Sequence, residues 1–210
     1  MSILETKCVK MTEAVQELGI LMKDTAEILN KECQVLYLPL KERNVIVFEH
    51  EKSLADAYIN MFASGKTYNN SSTFREECKE GTVLDGLIKD LPLVLVTAVK
   101  LPIHTSGKFI KYDYKYNEGI TNAREIRRGL KNIPIDVPIL FYTTRSNNAV
   151  KKEISTIDGV VAYIYKPLSI NPDEISIKET LDSAADRMFA SKYKSLFDAA
   201  NELRERNLKT

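Results

Sequence analysis

Hydrophobic and polar positions along the chain follow two rhythms. Short apolar runs recur at Asn44-Val45-Ile46-Val47-Phe48, Leu93-Val94-Leu95-Val96, Pro138-Ile139-Leu140-Phe141-Tyr142 and Val160-Val161-Ala162-Tyr163-Ile164. They are too short for helices and rich in β-branched and aromatic residues, which predicts buried strands. Between them, apolar residues return at helical spacing. Leu54, Ala57, Tyr58 and Met61 share a face over 53–62, and Leu84, Leu87 and Ile88 mark a second helix closed by Asp90-Leu91-Pro92. Ile126 and Leu130 point inward on a third over 122–130, with Arg124, Arg127 and Arg128 outward. Ala149, Val150 and Ile154 mark a fourth, stopped by Asp158-Gly159. Gly65 to Ser72 reads as a loop by composition, and Thr73-Phe74-Arg75-Glu76 is a candidate edge strand because of its charges. This alternation predicts an α/β fold, a five-stranded, doubly wound parallel sheet over residues 41–170. Leu93–Val96 is the most apolar run and belongs at its centre.

Both ends of the chain read as helix. Met11, Val15, Leu18, Met22, Ala26, Leu29 and Cys33 form one stripe within 5–33, widened by Leu21 and Ile28. That breadth suits burial among several helices, either on the chain's own domain or against a second copy. Downstream, Asn171, Pro172 and Asp173-Glu174 open a helix that meets no Gly or Pro before Asn207. Ile177, Leu181, Ala184 and Met188 make one stripe, continued on a rotated face by Phe189, Tyr193, Leu196, Ala200 and Leu203. The distal part either projects as a coiled-coil stalk or folds back onto the first helix. The expected organisation is a helical segment 1–40, an α/β domain 41–170 and a helical extension 171–210, with a homodimer formed through the terminal helices.

Composition narrows the chemistry. A length of 210 residues suffices for one well-cored domain with a helical appendage. With 30 Lys and Arg against 29 Asp and Glu there is no net field to attract nucleic acid or an anionic membrane. No apolar run approaches the ~20 residues of a spanning helix, and no signal peptide opens the chain. Cys8, Cys33 and Cys78 lack metal-like spacing and are expected to be reduced thiols of a cytoplasmic protein. No Ser or Cys elbow is spaced to either His50 or His104, and no cofactor is expected. Gly65-Lys66-Thr67 resembles the end of a phosphate-binding P-loop, but Asn60 stands at that pattern's first glycine and a helical pattern precedes it. The P-loop is therefore discarded. Lys108 to Tyr116 interleaves lysines with aromatics, as a hairpin or lid, a partner surface or a nucleic-acid contact would; Asp113, Glu118 and the neutral total argue against the last.

The candidate chemistry gathers where the predicted strands end. Thr143 closes one strand and Lys166-Pro167 the next, so a hydroxyl and an ammonium meet at the edge where open α/β sheets bind ligands. Together with the strand rhythm, these residues resemble the receiver domains of two-component response regulators over residues 41–170. The resemblance implies that Thr143 is the switch threonine and Lys166-Pro167 the family's Lys-Pro pair. It also implies a metal-holding acidic pair after the first strand, where Glu49 takes the first position and His50 the second. Glu49, His50 and Glu51 could offer ligands to a cation, though a polar turn opening a helix is the simpler account, and no metal is predicted. The family's phospho-accepting aspartate precedes a hydrophobic-Pro pair that Leu101-Pro102 matches. Aligning on that pair puts Ala98 at the acceptor position, or Thr97 if the register slips by one. Neither is a carboxylate, and an aspartyl phosphate cannot form on a methyl group.

The chain thus resembles a degenerate receiver, a pseudo-receiver. The expected function is a non-enzymatic signalling or protein–protein interaction module, with a protein partner that the sequence does not identify. The alternative is a small enzyme or ligand sensor with Glu49, His50, Thr143 and Lys166 lining an anion or metal pocket. Without a phosphoryl group to bind, Lys166 is expected to pair with Glu49 or Glu51.

Overall fold

A computed structural model describes residues 36–102, 104–106, 109–111, 117–130, 133–143, 148–165 and 173–192, with Lys23, Glu27 and Lys194. The chain divides into two compact units, Met1–Leu38 and Pro39–Thr210. In the first, Lys23 and Glu27 are helical; the rest of the helix expected over 5–33 lies outside the described residues.

The second unit holds a parallel sheet of five strands. They are β1 (Asn44–Phe48), β2 (Ser64–Tyr68), β3 (Leu93–Ala98), β6 (Ile139–Thr143) and β7 (Val161–Tyr165), in the order β2-β1-β3-β6-β7. Counted along the main sheet this is the 2-1-3-4-5 order of flavodoxin-like folds. The fold is a five-stranded, doubly wound α/β sheet, as expected, with β3 at its centre. A separate antiparallel hairpin, β4 (His104–Ser106) with β5 (Phe109–Lys111), leads into the lysine–aromatic stretch. Residues 112–116 of that stretch lie outside the described residues.

The helices are α1 (Lys52–Ile59), α2 (Ser71–Glu80), α3 (Glu118–Arg127), α4 (Asn148–Ile154) and α5 (Glu174–Lys192). One sheet face, with Ile46, Phe48, Leu95, Ile139 and Phe141, forms a core with Phe74 and Cys78 of α2, Ile120 and Ile126 of α3, and Ile154 of α4. Alternate residues Val45, Val47, Val94, Val96 and Leu140 face the other way and are also fully buried. α1 packs beside β1 and β2, and α5 on β7. Covering both faces removes any polar-out position from β1 and β3, which explains their uninterrupted apolar runs.

Two expectations between 64 and 92 are corrected. The second strand is Ser64–Tyr68, not Thr73–Glu76, and the stretch read as a loop supplies it. As an edge strand it keeps polar residues, while Tyr68 anchors its end, stacked on Phe48 with ring centroids 5.6 Å apart. Gly65 has no room for a side chain, because a Cβ there would stand 2.8 Å from atoms of Ile59 and Val45. Thr73–Glu76 instead lies within α2. Asn70 caps that helix by accepting from the Thr73 amide at 2.9 Å, and Gly81 ends it at φ 82°. The helix expected from Leu84, Leu87 and Ile88 is a series of turns. Asn44 braces them, donating to the carbonyls of Ile88 at 2.7 Å and Leu91 at 3.1 Å.

The last helix begins at Glu174, where Asp173 accepts from the Ser176 amide at 2.8 Å as a cap would. The expected cap Asn171 and Pro172 lie outside the described residues, and Ile177, Leu181 and Ala184 form the helix's buried stripe. The Phe189 side chain, Tyr193, Leu196, Ala200 and Leu203 lie outside the described part.

Candidate functional site

β1, β3 and β6 are neighbours, and their register brings the candidate residues into one row. Phe48 stands opposite Thr97, and Ala98 opposite Tyr142. Glu49, one residue past Phe48, therefore falls in line with Ala98 and Tyr142 on the same face. This row crosses the point where the strand order reverses, the usual ligand crevice of an open α/β sheet.

Here the chain's own groups occupy it. The Tyr142 hydroxyl donates to Glu49 Oε2. Glu49 Oε1 accepts from the Glu51 amide at 2.8 Å and lies 2.9 Å from His50 Nδ1. The Glu51 amide belongs to the turn that opens α1, so the carboxylate also sits at a helix N-terminus. Glu49 is only 4 % exposed and Tyr142 3 %. Below them, the Tyr142 ring lies against Tyr58 of α1, centroids 4.9 Å apart. Two strand spacings, about 10 Å, separate β1 from β6, so this bond must pass over Ala98. A methyl group leaves room for it.

Electrostatics follow from that geometry. Burial pushes the Glu49 carboxyl up, but the bonds from His50, Tyr142 and the Glu51 amide outweigh it and hold the group below the usual carboxylate range. The bond to Glu49 raises His50, against partial burial and with help from the charges of Glu49 and Glu51. Tyr58 and Tyr142 are raised by burial and then by the Glu49 charge, so both stay protonated. The arrangement is a buried carboxylate saturated by donors beside a half-exposed imidazole. It can hold a proton on His50, and the position in line with Glu49 on the central strand carries a methyl group, Ala98.

Ala98 is also enclosed on its backbone side. The Thr97 hydroxyl donates to the Ala98 carbonyl at 3.0 Å, and the Gly119 amide at the start of α3 donates to Val99 O at 3.2 Å. A Cβ on Gly119 would come within 2.0 Å of that Ala98 carbonyl oxygen. Thr97, the other residue aligned with the acceptor position, is buried with its hydroxyl committed. Among the described residues no group of three or more His, Cys, Asp and Glu is placed to hold a metal.

Of the sequence-predicted site residues, Glu49, His50 and Ala98 converge. Thr143 ends β6, half-buried and in register with Tyr165. Lys166 follows Tyr165 but lies outside the described residues, and with it the pairing expected with Glu49 or Glu51. Tyr142 was not foreseen as a site residue. Its signal was available: a tyrosine inside a buried run needs a partner for its hydroxyl. Lys66, the lysine of the discarded P-loop match, pairs with Glu77 and donates to Thr82 O at 3.0 Å.

No helix among the described residues is long and apolar enough to cross a membrane. No family model and no curated protein matches the sequence. Among solved structures, the chain is similar to a trimeric coiled-coil segment of yeast Spc42 fused to another structure, at 17% identity and a TM-score of 0.46, covering 81% of this chain and 94% of that one. It is similar to a response regulator from Thermotoga maritima at 11% identity and TM-score 0.42, covering 69% and 98% of the two chains. It is also similar to the signal receiver domain of a modulated diguanylate cyclase from Desulfovibrio desulfuricans, at 13% identity and TM-score 0.42, covering 70% and 97%.

Proposed function

We propose that the chain is a non-phosphorylatable pseudo-receiver, a signalling module that acts through protein–protein contacts and not through an acyl phosphate. One observation carries this reading: the central strand ends in Ala98, a methyl group lying beneath the Tyr142–Glu49 bond. A phosphoryl acceptor needs an oxygen nucleophile with space for an incoming tetrahedral group, and this position has neither. The carboxylate beside it is already saturated, which removes the incentive to bind a cation there. On this reading the module is not an enzyme, takes no cofactor, and binds a protein through its surface. The terminal helical segments, 1–40 and 171–210, join two copies into a homodimer.

The test is incubation with acetyl phosphate and magnesium, followed by intact-mass measurement and peptide mapping. The expected outcome is an unchanged mass. An acid-labile gain of one phosphoryl group mapped to Leu93–Pro102 would overturn the reading.

A further inference from the structure

The donors that saturate Glu49 come from separate parts of the fold. Tyr142 belongs to β6, and His50 and the Glu51 amide to the turn between β1 and α1. The same carboxylate-bearing residue donates its own amide to Tyr68 O of β2 at 3.0 Å. Ala98 of β3 lies between, its carbonyl pressed by Thr97 and by the first turn of α3. Shifting the end of β6 relative to that of β1 would strip the Tyr142 donor from a buried carboxylate, and an unsatisfied buried charge is the most expensive kind of lost hydrogen bond.

We propose that the Tyr142 hydroxyl is a latch that holds the carboxyl ends of β1, β3 and β6 in a single arrangement. The surface at this edge is then set by the chain itself and stays the same with or without a bound anion or cation. The idea rests on the pseudo-receiver reading only for what that surface does; the latch itself can fail or hold independently. Tyr142 acts as a positioning residue. Its ring is fixed by Tyr58, its hydroxyl reaches the one buried carboxylate in the row, and the small Ala98 keeps the path open.

The test uses the full chain and Tyr142→Phe, which keeps the ring against Tyr58 and removes only the hydroxyl. Amide exchange of Glu49 and Glu51 is expected to speed up by about tenfold or more, while Val45 to Val47 keep their protection. Loss of the Tyr142 donor leaves more of the carboxylate's charge to His50, so the His50 ring should titrate at higher pH. His104 is the only other histidine and serves as the internal reference. Ala98→Val, which keeps the hydroxyl but crowds its path, should reproduce the exchange pattern and provides the measurement if Tyr142→Phe does not fold. Unchanged exchange at Glu49 and Glu51 with an unmoved His50 titration would overturn the latch, as would an equal loss of protection along all of β1. Acetyl phosphate is absent from this experiment, so its outcome is distinct from that of the phosphorylation test.

Discussion

The Tyr142 hydroxyl on β6 bonds the Glu49 carboxylate at the end of β1, across the intervening strand β3. This single contact explains why the central strand ends in alanine. Any longer side chain at position 98 would stand between donor and acceptor.

Placing a carboxylate at position 98 is expected to destabilise the chain without creating a phospho-acceptor. In Ala98→Asp, the new group would be buried beside the Glu49 charge and in the path of Tyr142. Leaving an uncompensated buried charge is expected to lower stability by about 3–5 kcal/mol. Urea unfolding measures the loss, and incubation with acetyl phosphate should still yield no phosphorylated protein.

Stability should also depend on pH through the Glu49–His50 contact. Glu49 is held below its unfolded value, so its contribution is present above about pH 4.3 and is lost as pH falls through the lower folded value. His50 is raised, so its contribution is full below about pH 6.5 and is lost as pH rises through the higher folded value. Both limbs report one interaction, which should contribute most between those two values. Urea midpoints across pH 4 to 9 should decline on the alkaline limb for the native chain. His50→Asn should flatten that limb.

Gly119 offers a test whose sign is informative. In an ordinary helical site Gly→Ala stabilises by about 0.5–1 kcal/mol. Here the added methyl would meet the Ala98 carbonyl oxygen at 2.0 Å, a backbone atom held within the sheet. Gly119→Ala should instead destabilise by about 1–3 kcal/mol, as overpacking does. A raised melting temperature would show that α3 is not pressed onto the end of β3.

What could be read from the sequence depended on burial. β1, β3 and β6 are covered on both faces, so their identity was written in continuous apolar runs. β2 is an edge strand in which Lys66 is half-buried and Thr67 exposed, and its composition looks like a loop. Phe74 and Cys78 point inward on α2 at helical spacing, but the charged residues between them suggested an edge strand. At the site, Glu49, His50 and Ala98 were legible because strand ends can be counted. The Tyr142 partnership was not, since it joins residues 93 positions apart and depends on a register that no local pattern encodes.

Residues 5–33 carry a broad apolar stripe, and Phe189, Tyr193, Leu196, Ala200 and Leu203 recur at helical steps near the C-terminus. Helical faces of this kind left in water would form an apolar patch larger than monomeric proteins usually tolerate. A second copy would supply matching faces, and a two-fold pair would close without further growth. The chain is therefore expected to sediment as a homodimer at micromolar concentration. Changing both Leu196 and Leu203 to glutamate should give a monomer, because four charges would be forced into the shared apolar layer. The sheet should remain folded in that monomer, since β1, β3 and β6 take their burial from α1 to α4 and the first part of α5. Circular dichroism checks the retained fold and sedimentation the stoichiometry. A native chain that sediments as a monomer would sink the idea.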